Sequence, residues 1–277
     1  MWKFYGNKKT PEIRSMRERI LYIALIMVGL FIISNAVQSF FIIESEESAA
    51  RSEYNQIRDL YSVMSVYSSP DAALAQADSP DSQAPSLEFP LFRRRNRNLP
   101  ETEQPDPIAA LLEINSDYIG WLAIAGVLDY PVVQGYNNDV YMNRTFTGNY
   151  NSAGTVFMDS RNWQGFDAPV CIIYGHNMRD GSMFAQLNKY GDPAFINEHP
   201  YITVVTLEGE MLVYRIFAAG LTDIWNRAYA LGFADGAAAA RAIWRAPADA
   251  DRFLLLSTCT NTEDDDERML VYAALVN

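Results

Sequence analysis

Apolar and polar residues divide the chain into a long apolar run near the N-terminus, a polar middle and a series of short apolar runs. Residues 20–41 carry no charge, and their length matches the roughly 20 residues with which an α-helix crosses a bilayer. Lys and Arg precede this run, and three glutamates follow it within 44–47. Because basic flanks stay in the cytoplasm, we predict a cell-membrane anchor at 20–43, a cytoplasmic segment at 1–19 and an extracellular remainder.

A cleaved signal peptide is the alternative interpretation of the apolar run. The run is longer than the roughly 7–15 residues of a signal-peptide core, and the small residues around Ala36 form only a loose cleavage site. We therefore expect the N-terminus to stay on the mature protein.

The middle of the chain, 44–107, is predicted to form a helical stalk followed by a flexible linker. Residues 44–65 are mostly polar and compatible with a helix, whereas Ser, Pro, Asp, Ala and Gln dominate from Ser68 onward. The arginine cluster at 93–97 is interpreted as a solvated charge run, with contact to an anionic polymer or lipid as the alternative.

The remaining region, 108–277, is predicted to be a mainly β domain. A short amphipathic helix begins near Ile108, and the apolar runs after it are separated by Gly, Pro, Asn and Asp at intervals typical of a barrel or sandwich. An Ala-rich helix is predicted at 233–246, just before the apolar run that ends at Cys259.

Composition excludes some classes of function. A hydrophobic content of 49% is sufficient for a buried core, and 34 acidic against 22 basic residues give a net charge of -12. Nucleic acid is not an expected partner, because its binding depends on Lys and Arg that neutralise phosphates. The two Cys and two His have no paired ligand spacing, and no phosphate-loop pattern occurs, so we expect neither a metal nor another cofactor.

Three residues at predicted strand ends have the chemistry for acyl transfer. Cys259 ends one apolar run, His176 ends another, and Arg268 begins the next run after Cys259. A thiol becomes a usable nucleophile beside a base or cation, and a guanidinium stabilises the oxyanion that forms when a thiolate attacks an amide. The pattern favours a thioester mechanism, although singly the three are ordinary as a core thiol, a loop histidine and a solvated arginine.

The other cysteine and histidine are predicted to have no catalytic role. Cys171 lies five residues before His176 on one predicted strand, about 16 Å away at 3.3 Å per residue, and points to the opposite face. A Cys171–Cys259 disulfide is therefore not expected, and Cys171 is predicted to be an inert core thiol. His199 is predicted to lie in a surface loop.

Several motifs resemble those of a sortase. These are LSTC with a following arginine and IIYGHNMRDGSMFAQL, while IGWLAIAGVLDYPVVQGYNNDVYMN and AGTVFMDSRN are similar in particular to class B sortases. The resemblance covers 108–277 and implies a closed eight-stranded β-barrel with an N-terminal membrane anchor. It also implies a Gram-positive transpeptidase that cleaves a C-terminal sorting pentapeptide of exported proteins after Thr. The acyl group then passes to an amine of a cell-wall precursor or of another protein, such as a pilin.

The resemblance also implies roles for particular residues. His176, Cys259 and Arg268 correspond to the catalytic positions. The substrate groove is expected to include Tyr174, Ser257, Thr258, Asn138 and Met142. Many class B sortases have an acidic residue directly after the cysteine, where this chain has Thr260.

Two other functions are compatible with parts of this pattern. A papain-like cell-wall peptidase normally has its cysteine before its histidine in the chain, whereas here His176 precedes Cys259. An inactive sortase-like scaffold would bind sorting peptides without cleaving them, and the presence of all three polar groups argues against it.

Overall fold

The computed structural model describes residues 16–64, 106–260 and 266–276, and the chain divides into one compact unit that ends at Glu46 and another that begins at Glu47. The first helix, α1, spans Met16–Met64. Among the described residues it is the one helix long and apolar enough to cross a membrane, by length and composition. Its apolar side chains between Ile20 and Ile43 are exposed, as lipid-facing side chains would be. The predicted linker, apart from its last two residues, and its arginine cluster lie outside the described residues.

Eight strands form a closed barrel in the second unit, which confirms the predicted fold class. The strands are β1 Tyr118–Ile124, β2 Leu128–Val133, β3 Phe157–Met158, β4 Val170–Tyr174, β5 Tyr201–Thr206, β6 Met211–Asp223, β7 Phe253–Cys259 and β8 Glu267–Leu275. Their order around the barrel is β1-β2-β3-β4-β7-β8-β6-β5, and β5 pairs with β1. The predicted strands are all present, although the run AGTVFMD contributes only the two residues of β3.

Strand pairing brings distant parts of the chain to one edge of the barrel. β4 and β7 are parallel, with Tyr174 opposite Ser257, whereas β7 and β8 are antiparallel, with Cys259 opposite Arg268. A parallel pair needs a long crossover connection, and here β5 and β6 lie within it. The ends of β4 and β7 and the start of β8 therefore meet at the same edge.

Strands β4 and β7 are buried on both faces, which explains their continuous apolar sequence. Ile173 and Leu256 pack into the barrel interior, while Ile172 and Leu255 belong to a second apolar cluster outside it. Ile243 belongs to that outer cluster and directly follows the helix Gly236–Ala242. A strand covered on both sides needs no polar alternation.

Among the described residues, three short α-helices accompany the barrel: α2 Pro107–Ile114, α3 Pro193–Glu198 and α4 Gly236–Ala242. The short helix predicted near Ile108 is α2, where the Asp106 carboxylate accepts a hydrogen bond from the Ile108 N–H at 3.0 Å. The Ala-rich helix is shorter than the predicted 233–246. Asp235 caps its start by accepting from the Ala238 N–H at 2.7 Å, so the helix begins only at Gly236.

The second half of α1 packs on the barrel. Residues 44–65 are helical as predicted through Met64, but they do not form a free stalk, because Ala50, Tyr54 and Ile57 are buried in the barrel's hydrophobic core. These positions are spaced by four and three residues and therefore share one helix face. The ring of Tyr61, four residues further, stacks on Trp121 with a centroid distance of 3.9 Å.

Candidate active site

A cleft of about 620 Å³ opens where β4 and β7 end. It is lined by every site residue that the sequence predicts. These are His176, Cys259, Arg268, Tyr174, Ser257, Thr258, Asn138 and Met142. They come from the 138–142 segment, two parallel strands and the start of β8, so only the folded barrel brings them together.

Cys259 and Arg268 face each other across neighbouring strands. Cys259 is the last residue of β7, and its thiol is free and exposed. Its cross-strand partner is Arg268, the second residue of β8, whose Nη1 donates to the Glu267 carbonyl at 2.9 Å. Side chains of directly opposed residues have Cβ atoms about 4.5–5.5 Å apart. The predicted proximity of the thiol and the guanidinium is therefore built into the strand register.

β4 ends at Tyr174, whose partner in β7 is Ser257. His176 lies two residues beyond Tyr174, and Cys259 lies two residues beyond Ser257. Since these strands are parallel, His176 reaches the same level of the barrel edge as Cys259. The His176 Nε2 is 2.7 Å from the Met142 carbonyl oxygen. A carbonyl only accepts, so Nε2 carries the proton and Nδ1 is the ring nitrogen available for proton exchange.

An ion pair with a buried carboxylate supports the Tyr174 side of the cleft. The Asp159 side chain is 0% exposed and accepts from Arg161 at 2.7 and 2.9 Å in a bidentate arrangement. It also accepts from the Tyr174 hydroxyl at 2.9 Å. Burial alone would raise the pKa of the Asp159 carboxyl, but hydrogen bonds from Arg161 and Tyr174 lower that pKa below its ordinary value. The charged carboxylate therefore fixes the position of the Tyr174 ring.

The remaining predicted groove residues differ in how their polar atoms are held. The Ser257 hydroxyl lies 2.8 Å from the Tyr229 hydroxyl, and Asn138 accepts from the Ser160 N–H at 2.8 Å. Thr258 is 2% exposed, and its Oγ1 has no hydrogen-bond partner among the described residues.

Sequence reasoning missed the segment 224–230, here called the rim loop, which follows β6 and lines one side of the cleft. Its Trp225 is 80% exposed, and its Tyr229 stacks parallel to Tyr174 with a centroid distance of 6.5 Å. Asp159 and Arg161 were also given no role, although they lie within the motif AGTVFMDSRN. For the rim loop, the available sequence signal was the apolar pair Ile224 and Trp225 between two polar residues.

The cysteine and histidine without a predicted catalytic role lie away from the cleft. Cys171 is 1% exposed and free, its Sγ donates to the Gly165 carbonyl at 2.9 Å, and burial raises its pKa to about 12. The prediction of a buried thiol without a disulfide is confirmed. His199 is half-buried at the end of α3, with its ring 4.6 Å from that of Phe195. Thr260, beside Cys259, donates to a Glu267 carboxylate oxygen at 3.0 Å.

Comparisons with known proteins agree with this arrangement. A family model described as Sortase domain matches residues 123–276. The chain is 43% identical to sortase B of Listeria monocytogenes over 99 residues, which are 35% of this chain and 40% of that protein. It is 37% identical to sortase B of Staphylococcus aureus over 94 residues, which are 34% of this chain and 38% of that protein. The X-ray structure of Clostridium perfringens sortase B superposes with a TM-score of 0.53 at 28% identity, covering 61% of this chain and 99% of that one.

The fold and the cleft define a barrel with a thiol, an imidazole and a guanidinium at one edge. The family model covers more than half of the chain, and the chain therefore belongs to the sortase family. The predicted similarity to class B members is confirmed, since these relatives and this structure are sortase B proteins. The chain aligns with about two fifths of the length of the two curated relatives.

Proposed function

We propose that the protein is a membrane-anchored transpeptidase that cleaves a C-terminal sorting peptide after Thr and transfers the acyl group to an amine. One observation carries the proposal. The exposed thiol of Cys259 in β7 lies opposite Arg268 of β8, and β7 pairs with β4, the strand that precedes His176. Thiol, base and cation are the groups that acyl transfer through a thioester requires.

In the acylation step the Cys259 thiolate attacks the carbonyl carbon of Thr. A C–S bond forms while the peptide C–N bond breaks, and the leaving amine takes a proton from His176. Arg268 donates hydrogen bonds to the oxyanion of the tetrahedral intermediate, for which its planar fork of donors is suited.

In the second step an incoming amine attacks the thioester. It gives a proton to His176, the C–S bond breaks, and the Cys259 thiolate is regenerated. The amine belongs to a cell-wall precursor or to another exported protein, such as a pilin. The reaction is balanced without a metal, an oxidant or a reductant.

The groove residues have proposed roles in peptide binding. Asn138, Met142, Tyr174 and Ser257 line the cleft and are proposed to contact the bound peptide. Thr258 also lines the cleft and is proposed to contribute to the same surface. Tyr174 is held from below by Asp159, so it offers a rigid surface to the substrate.

The proposed topology follows from the apolar part of α1. Residues 1–19 would lie in the cytoplasm, 20–43 would cross the membrane, and the segments 44–107 and 108–277 would lie outside the cell. Part of the segment 44–107 belongs to the catalytic unit, because the helix from Glu47 to Met64 is grouped with the barrel.

The experiment uses the full chain in detergent micelles and a set of internally quenched pentapeptides with Thr fixed at the fourth position. Triglycine serves as the acceptor amine, and mass spectrometry identifies the products and any acyl adduct on Cys259. Transfer of the four-residue acyl group to triglycine, absent in Cys259→Ala, is the expected result. Peptide binding without cleavage would instead favour the inactive scaffold, and release of acid alone would favour a peptidase.

A further inference from the structure

We infer that the second half of α1 positions the catalytic histidine, with Arg51 and Tyr54 as the positioning residues. This inference rests on the proposed function for the role of His176, but its structural part does not. Arg51 and Tyr54 are three residues apart on one helix face, and each contacts a different segment that holds His176.

Tyr54 contacts the segment that accepts the hydrogen bond of His176. It is 4% exposed, and its hydroxyl donates to the Gly154 carbonyl at 2.6 Å. The neighbouring Thr155 N–H donates to the Tyr141 carbonyl at 3.0 Å, one residue before the Met142 carbonyl that His176 contacts. Three hydrogen bonds and a short stretch of backbone therefore link the Tyr54 hydroxyl to the imidazole.

Gly154 also lies directly against the histidine ring. Its φ is +60°, in the region that favours glycine, and a Cβ there would lie 3.1 Å from the His176 Cδ2 and 2.7 Å from the Met142 carbonyl oxygen. A side chain at position 154 would therefore displace the ring or its hydrogen-bond acceptor. The carbonyl of Gly154 itself accepts the hydrogen bond from the Tyr54 hydroxyl.

Arg51 contacts the loop that begins at His176. Its guanidinium pairs with Asp180, whose Oδ1 accepts from the Ser182 N–H at 2.9 Å and from the Ser182 hydroxyl at 2.6 Å. The loop closes on itself where the Phe184 N–H donates to the His176 carbonyl at 2.8 Å. Arg51 therefore holds the outer end of a closed loop that has the catalytic histidine at its base.

The same helix provides control positions whose direct contacts lie on β1 and β2. Arg58 pairs with Asp129 of β2 at 3.1 Å, and the Tyr61 ring stacks on Trp121 of β1. Arg58→Gln and Tyr61→Phe therefore remove a guanidinium and a hydroxyl of the same kinds from the same helix. Tyr61→Phe keeps the ring stack on Trp121 and removes only a hydroxyl, so it is the neutral control. Arg58 also lies over the Tyr130 ring, whose hydroxyl accepts from the Met183 N–H in the loop that begins at His176, so Arg58→Gln tests a less direct route to that loop.

The test observes the imidazole itself in the full chain in detergent micelles. The chain has two histidines, so protein labelled with ¹³C at the histidine Cε1 gives two ring signals, and His199 serves as an internal reference. We expect Tyr54→Phe and Arg51→Gln to move the His176 signal by more than one linewidth and to leave that of His199 in place. Tyr61→Phe should move neither signal, Arg58→Gln should move that of His176 less than Arg51→Gln does, and Arg51→Lys should restore part of the wild-type position.

Turnover of the best-cleaved pentapeptide gives the second readout. Misplacing a catalytic group by about 1 Å costs up to roughly 100-fold in rate, so we expect kcat to fall about tenfold or more in Tyr54→Phe while KM changes less than twofold. An unmoved His176 signal in both Tyr54→Phe and Arg51→Gln, or equal shifts in the two controls, would overturn the inference. If wild-type protein cleaves no peptide, the proposed function fails, and the ring signals still decide whether α1 positions His176.

Discussion

Replacing Asp159 by Asn tests whether the buried carboxylate organises the Tyr174 side of the cleft. Asp159 is 0% exposed and accepts side-chain hydrogen bonds from Arg161 and Tyr174. Asparagine has nearly the same shape but keeps one acceptor oxygen and turns an NH₂ group toward donors. The substitution therefore breaks at least one hydrogen bond to a charged acceptor and leaves a donor facing a donor.

The expected destabilisation can be worked from these contacts. Hydrogen bonds to charged groups contribute about 1.5–3 kcal/mol each, and a broken buried ion pair costs about 3–5 kcal/mol. The Arg161 side chain is 58% exposed and stays solvated when its partner is lost, which favours the lower part of that range. We expect Asp159→Asn to lower the free energy of unfolding by about 3 kcal/mol, or the Tm by roughly 6–12 °C for a domain of this size.

The expected loss of stability in Asp159→Asn depends on pH. The folded-state pKa of Asp159 is lowered, so its charge stabilises the fold above the unfolded pKa of about 3.9. That stabilisation is lost as the pH falls through the still lower folded-state pKa. The difference in Tm between wild type and Asp159→Asn should be full at pH 7 and shrink below about pH 4.

Circular dichroism measures this difference when the thermal unfolding of the full chain is monitored at pH 7 and at pH 3. Asp167→Asn is the matched control, because the Asp167 carboxylate pairs with Arg252 at 3.0 Å but is 87% exposed. Exposed pairs contribute about 0–1 kcal/mol, so its Tm should change little. A Tm of Asp159→Asn close to wild type at pH 7, or a deficit that persists unchanged at pH 3, would refute the reasoning.

Three further outcomes concern the thiols and the guanidinium. Cys259→Ala should abolish peptide cleavage and leave the Tm nearly unchanged, since an exposed thiol leaves no buried cavity; turnover near wild type would remove Cys259 from the nucleophile role. Arg268→Lys should lower kcat by about 100-fold or more with a much smaller change in KM, and a rise in KM with unchanged kcat would assign Arg268 to ground-state binding. Titration with a disulfide reagent should find one fast thiol in native, unreduced protein and two after denaturation, because burial raises the pKa of Cys171 to about 12; none in either state would contradict the free thiols.

The barrel strands and the candidate active-site cleft were predictable because short-range patterns encode them. The apolar run that ends at Cys259 and the run that begins near Arg268 are separated by one acidic loop, which is enough to predict antiparallel neighbours. The position of His176 required one further step, the parallel pairing of β4 with β7, for which the sequence offers no local signal. The family resemblance implied a catalytic position for His176, but the pairing itself is seen only in the structure.

The packing of α1 was not predictable from composition. Ala50, Tyr54 and Ile57 are scattered among charged residues, and their common face becomes meaningful only once a partner surface is known. The rim loop was missed for a similar reason: an exposed Trp225 has no sequence signature that distinguishes a cleft wall from a solvated turn. In both cases the environment of the residue depends on which distant part of the folded chain packs near it.

The parallel pairing of β4 with β7 separates reactivity from selectivity in this molecule. The register between the two strands sets the spacing of His176 and Cys259, while the chain that links the strands carries the rim loop. Insertions or substitutions between β6 and α4 therefore reshape the entrance without altering the spacing of thiol and imidazole. If the chain acts as the proposed transpeptidase, this architecture would let a lineage exchange one recognised peptide for another while the spacing of thiol and imidazole stays constant.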